Sequence, residues 1–170
     1  ENDVLRRFIE TGELAPEKTL ASIAPSMDIQ IPSSLERLIF DFTDDASAFY
    51  DALLKEHKAK LSDDKIKQLN HIFSSTTFLD DDIKSEIKSL YEEFGSIFDP
   101  HSVTSIRMAL DNQDSVPTVA VATASPEKFS NVIAPLIKTS SEVVIDEKEE
   151  YLKLENDKFA ISESIKAYFS

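Results

Sequence analysis

The chain has 170 residues, a formal net charge of −14 and no cysteine. That length suits one ordinary domain or a large piece of a bigger one. The negative field repels phosphate, which argues against nucleic acid and anionic membranes as partners, and the missing cysteines exclude disulfides, thiolate metal sites and cysteine nucleophiles.

Hydrophobic residues make up 41% of the chain, enough for a real core. No apolar run approaches the roughly 20 residues of a membrane helix, and no signal-peptide pattern is present. The expected compartment is the cytoplasm. A start at Glu1 in place of Met suggests a processed product or, more readily, a piece of a longer protein. Only two glycines occur, where the usual share of roughly 7% would give about 12. Both read as helix stops, Gly12 after Arg6 to Thr11 and Gly95 after Leu90 to Phe94. Neither belongs to a glycine-rich phosphate cradle, so Walker-type and dinucleotide loops are absent.

In chain order, Leu5, Phe8 and Ile9 form a short helical stripe that ends at Gly12. Pro16 and Pro25 bracket an irregular stretch. Ser33-Ser34-Leu35-Glu36 fits a capping box, in which the Ser33 hydroxyl and the Glu36 carboxylate satisfy free N–H groups. Leu35, Leu38, Ile39 and Phe42 follow at helical spacing. A third helix runs from about Ala46 with Phe49, Tyr50, Leu53 and Leu54 apolar. Ser62 caps a fourth, with Ile66, Leu69, Ile72 and Phe73 inside.

The fifth helix has the clearest pattern. Asp80, Asp81 and Asp82 place negative charge at its N-terminal end. Ile83, Ile87, Leu90, Tyr91 and Phe94 make one stripe, and Gly95 closes it. A sixth begins near Pro100, a preferred first helical residue, with Val103, Ile106 and Leu110 facing inward. The four helices between Ser33 and Phe94 are expected to pack as a unit.

Thr118-Val119-Ala120-Val121-Ala122-Thr123 reads as a strand, being short, β-branched and uncharged, as in strands buried on both faces. It feeds into Ser125-Pro126, an N-cap followed by proline. Phe129, Val132, Ile133, Leu136 and Ile137 form the next buried side, and Pro135 should kink or shorten that helix. A weaker strand covers Glu142 to Ile145. Asp146 to Glu150 reads as an exposed loop or helix start, and a final helix carries Ile161, Ile165, Tyr168 and Phe169. The fold class is α/β, mostly helical, with three segments at 1–32, 33–115 and 116–170.

His57 and His71 fall on exposed or half-exposed helix faces, and no histidine has a metal partner at helical spacing. No metal site is expected. His101 follows Asp99-Pro100 at a helix start, where Asp99 can bond free N–H groups. Asp28 lies between prolines, as either a turn residue or an active-site acid, with no second carboxylate at acid/base spacing. Ser26, Ser33 and Ser34 lack the nucleophile elbow of hydrolases. The acidic run 146–150 lacks EF-hand spacing. Thr123 ends the good strand, where open α/β sheets gather ligands. Its hydroxyl either meets a neutral ring nitrogen or bonds its own backbone. Read this way, the residues describe a soluble, acidic, mostly α domain, and an acidic helical protein-interaction domain remains open.

Ala24-Pro25-Ser26-Met27-Asp28-Ile29-Gln30-Ile31-Pro32-Ser33-Ser34-Leu35-Glu36-Arg37 resembles the S-x-S-M-D-I-x-x-P-S-N-x-E-R signature of threonine synthases of the fungal and bacterial type. The opening Glu1 to Gly12 is similar to the family's N-E-N-D-I-L-x-R-F-x-x-T-G block. Asp99-Pro100-His101-Ser102, then Ala122-Thr123-Ala124-Ser125-Pro126-Glu127-Lys128-Phe129, then Asn156-Asp157 to Phe169 follow in the family's order. Ser34, Ser105 and Ser125 depart from the family's Asn, Gly and His.

The resemblance implies the C-terminal part of a pyridoxal-phosphate lyase of the tryptophan-synthase-β-like fold (fold type II), with a helical insertion. Such enzymes convert O-phosphohomoserine and water to threonine and phosphate. The resemblance also implies that the Schiff-base lysine and the phosphate loop lie upstream of Glu1, so that no catalytic residue is assigned in this chain and the chain alone is inactive. Thr123 is implied to meet the pyridine nitrogen, with Ser26, Asp28 and His101 as active-site neighbours. A non-catalytic threonine-synthase-like protein is the rival within the family.

Overall fold

The computed structural model describes residues 2–113, 115–137 and 157–168. Helix α1 (Val4–Thr11) stops at Gly12, whose φ of 70° turns its N–H back to the Phe8 carbonyl at 2.7 Å. Glycine is required there twice over. L side chains resist that left-handed φ, and a Cβ would meet Ile66 Cγ1 at 2.2 Å. Gly12→Ala is therefore expected to cost about 2–4 kcal/mol, the left-handed penalty plus overpacking. Urea denaturation measures it; a loss of only about 1–2 kcal/mol, the left-handed penalty alone, would mean that Ile66 swings aside, and a loss below about 0.5 kcal/mol would mean that neither constraint holds.

Strand β1 (Glu13–Leu14) pairs antiparallel with β2 (Ala59–Lys60), Glu13 opposite Lys60 and Leu14 opposite Ala59. Two residues are too few to leave a readable period, so the pattern did not announce this ladder. It ties α1 to the corner between α3 (Ala46–Glu56) and α4 (Asp63–Ile72). With α2 (Leu35–Phe42) these helices close a first core around Val4, Phe8, Ile39, Phe49, Leu53 and Leu69. Phe8 meets Phe49 edge-on, ring centroids 6.4 Å apart.

A second core lies between α5 (Asp80–Phe94) and α6 (Pro100–Asp111), and takes in Ala24, Ile83, Ile87, Leu90, Val103 and Ile133. The four helices expected from Ser33 to Phe94 are all present, yet they do not share one core. The α5 stripe turns to α6, while α2 to α4 turn to α1. The segment 20–28 links the two halves, with the Ile23 N–H donating to Asp80 at 3.2 Å.

Other local expectations need correction. No capping box forms at Ser33: the N-cap is Ser34, without a side-chain cap bond. The carbonyls of Pro32 and Ser33 accept from the Leu35 and Glu36 N–H groups in a tight turn, so the hydroxyl and carboxylate are not needed. On α1 the buried pair is Val4 and Phe8, with Leu5 exposed; on α4 only Leu69 is buried, and Ile72 and Phe73 face out. Leu54 and Phe94 are exposed as well.

The run Thr118–Thr123 is not a strand. Among the described residues it has no ladder partner, and Val119 is 82% exposed. β-branched residues favour a pleated neighbour but do not create one. Beyond it, Pro126–Phe129 forms a 3-10 turn and α7 spans only Ser130–Ile133, short as Pro135 requires. The expected strand Glu142 to Ile145 and the acidic stretch 146–150 lie outside the described residues. Helix α8 (Lys158–Tyr168) is present with Phe159 exposed. Among the described residues no helix is long and apolar enough to cross a membrane.

Candidate functional site

The first turn of α6 carries an unusual concentration of buried polar groups. Asp99, His101 and Ser102 are 0%, 5% and 1% exposed. Asp99 is the N-cap, and its Oδ1 accepts from the His101 N–H at 2.9 Å, as a capping aspartate does. The same oxygen lies 2.8 Å from His101 Nδ1. Oδ2 accepts a short bond from the Ser102 hydroxyl. The sequence reading of Asp99 as a cap holds, and the residue does more than cap.

Both arms of this cluster reach other parts of the chain. His101 Nε2 accepts the Ser26 backbone N–H at 3.1 Å. That leaves the proton of the neutral ring on Nδ1, directed at Asp99. Ser102 Oγ accepts the Thr123 backbone N–H at 3.2 Å. The Phe129 ring closes over His101 edge-on, with centroids 4.9 Å apart. Every bond on both arms therefore donates toward Asp99, which is the common acceptor. Burial alone would raise the Asp99 carboxyl, but the Ser102 hydroxyl and the His101 amide and ring outweigh it and hold it below its ordinary value of 3.8.

Three of the four residues singled out from sequence are thus brought together: Ser26, His101 and Thr123. Ser26 and Thr123 are exposed, and among the described residues their hydroxyls make no hydrogen bond. Asp28 stands apart from this network. Its carboxylate accepts from Asn2 Nδ2 at 2.8 Å, from the Ser22 N–H at 2.8 Å and from the Ser22 hydroxyl at 2.7 Å. It binds the opening segment to the loop before it. Asp28 also borders a pocket of about 290 Å³ that Thr76, Thr77, Thr104, Ser105 and Met108 help to line. Among the described residues no acidic or histidine cluster could hold a metal ion.

Asp99 and Ser102 were not singled out as site residues. The available signal was their i, i+3 spacing across a proline at a helix start, which puts a hydroxyl beside the capping carboxylate.

No protein-family model matches the sequence. Individual proteins do. A threonine synthase of Pseudomonas aeruginosa is 30% identical over 138 residues, covering 78% of this chain and 29% of that protein. The crystal structure of a PLP-bound threonine synthase from Brucella melitensis superposes with a TM-score of 0.78 at 26% identity, covering 98% of this chain and 38% of that one. The chain belongs to the threonine synthase family. A threonine synthase-like 2 protein of Xenopus laevis is 27% identical over 139 residues, covering 78% of the chain and 29% of the relative.

The chain thus spans about three-tenths of the length of these two threonine synthase relatives. The fold is that of the threonine synthase structures, a mostly helical portion of a fold-type-II pyridoxal-phosphate enzyme, as the motifs implied. In threonine synthase terms, the network joins the S-M-D-I block and the A-T-A block, through the backbone N–H groups of Ser26 and Thr123, to the buried side chains of the D-P-H block.

Proposed function

We propose that this chain is the C-terminal part of a threonine synthase, a lyase that converts O-phosphohomoserine and water to threonine and phosphate with pyridoxal phosphate. One observation carries the reading. Three sequence blocks shared with threonine synthases converge on Asp99, and two of them end in exposed residues whose hydroxyls have no partner among the described residues. Thr123 fits one end of the cofactor. A neutral hydroxyl can bond a pyridine nitrogen without imposing a proton on it, whereas a carboxylate would favour the protonated ring. The phosphate end does not fit this chain: Gly12 is packed against Ile66, and Gly95 is only a helix stop. When bound, the cofactor supplies an electron sink; this chain's part is to hold Thr123 and Ser26 in place.

The chain alone is expected to retain no pyridoxal phosphate after dialysis and to release no phosphate from O-phosphohomoserine, while the complete polypeptide does both. A stoichiometric, borohydride-trappable adduct at one lysine of the isolated chain would sink this assignment. In the complete polypeptide, Thr123→Ser is expected to be mild. Thr123→Val removes the donor and is expected to lower cofactor affinity or rate tenfold to a hundredfold, about 1–3 kcal/mol. Wild-type behaviour of the valine variant in both would leave Thr123 without a role in the site.

A further inference from the structure

We infer that Ser102 and Asp99 are positioning residues for the candidate cofactor site, fixing the backbone of Thr123 on one side and, through His101, that of Ser26 on the other. The inference rests on the reading of Thr123 as a cofactor contact.

The segment that carries Thr123 has little else to hold it. Thr118–Thr123 lies in no ladder among the described residues, and Val119 and Val121 are exposed. It is pinned to α6 at two points. The Thr123 N–H donates to Ser102 Oγ at 3.2 Å, and the Ser105 hydroxyl, whose nearer acceptor is the Ser102 carbonyl at 2.9 Å, also approaches the Val121 carbonyl at 3.2 Å. Of these, the Ser102 bond is at the candidate contact itself, and its acceptor is almost wholly buried.

The direction of that bond is set by Asp99. A serine hydroxyl has one proton and two acceptor sites. Because the proton goes to Asp99 Oδ2, Oγ faces Thr123 as an acceptor. On the other arm, the His101 proton goes to Oδ1, and Nε2 is left free to accept from Ser26. One ionised carboxylate thereby orients both exposed residues. Neither Ser102 nor Asp99 is itself exposed, so neither touches a ligand: they act through Thr123 and Ser26.

The test uses the complete polypeptide loaded with pyridoxal phosphate. It compares Ser102→Ala, Ser102→Thr and Thr123→Val by three readouts: amide hydrogen exchange at Thr123, the dissociation constant of pyridoxal phosphate, and the visible absorbance maximum of the bound cofactor. Ser102→Ala is expected to speed exchange at Thr123 and weaken cofactor binding roughly fivefold to tenfold, the worth of one hydrogen bond. Ser102→Thr keeps the hydroxyl and is expected to restore both. Thr123→Val is expected to weaken binding and move the absorbance maximum while leaving exchange at position 123 protected, since its N–H remains.

If Ser102→Ala leaves exchange and affinity unchanged while Thr123→Val alters affinity, the positioning role is overturned and the Thr123 contact stands. If Thr123→Val leaves both affinity and absorbance unchanged, the contact falls and the positioning role with it. Should the alanine variant not fold, Ser102→Cys keeps the side-chain size and weakens both bonds, and is read by the same outcomes.

Discussion

Phe8→Ala is expected to remove about 3–5 kcal/mol of stability, the usual loss for a fully buried phenylalanine. Phe8 is 0% exposed on α1 and sits at the centre of the first core, edge-on to Phe49. The cavity cannot collapse easily, because its walls come from three other helices and the β1–β2 ladder. Leu5→Ala, on the exposed side of the same helix, is expected to cost less than about 1 kcal/mol. Urea denaturation of both variants checks the contrast. Because the second core is built from other residues, amide exchange should quicken chiefly in α1 to α4 and much less in α5 and α6. Equal quickening in both cores would show that they unfold as one unit.

Helix positions were the most legible part of the fold. α5 begins and ends, and α6 begins, where charge, proline and glycine place them, since those signals act within one turn of chain. Partner choice was less legible. Nothing in the spacing of Ile83, Ile87 and Leu90 says that they face Val103 rather than the helices before them. Terminal apolar residues such as Phe73 and Phe94 match the helical period, yet at the ends of their helices they stay exposed, Phe73 meeting the Phe42 ring edge-on. Thr118–Thr123 illustrates the converse: a strand needs a neighbour, and a strand's own residues do not say whether one is present.

The site was legible only in pieces. Asp99 read as a cap, His101 as its helix-start neighbour and Thr123 as a strand end, each from local context. Their union depends on contacts across 21 residues between Ser102 and Thr123 and across 75 between Ser26 and His101, which local spacing cannot encode. Asp28 looked equally promising by motif, and its carboxylate is instead taken up by Asn2 and Ser22. The shared blocks pointed to the right neighbourhood because their members are chained together, and which of them reach ligand is a separate question from which of them are buried.

Asp99→Ala is expected to cost about 3–5 kcal/mol at neutral pH, since each buried donor left without an acceptor costs about 1–3 kcal/mol. Three donors, the His101 N–H, the His101 ring N–H and the Ser102 hydroxyl, lose their acceptor where water has little access. Asp99→Asn keeps one oxygen and is expected to cost less, about 1–3 kcal/mol, since one arm must still face an amide NH₂. The asparagine variant also gives a pH signature. The Asp99 carboxyl is held below 3.8 in the folded protein, so its contribution is present above that value and is lost as pH falls through the lowered one. Asparagine does not titrate. The stability gap between wild type and Asp99→Asn should therefore be full at pH 7 and shrink below about pH 4. Urea titrations across that range decide the point. A gap that stays constant would mean that the carboxylate's charge contributes nothing and that Asp99 acts by shape alone. A gap that closes, together with faster amide exchange at both Ser26 and Thr123, would mean that one ionised group orders both exposed residues.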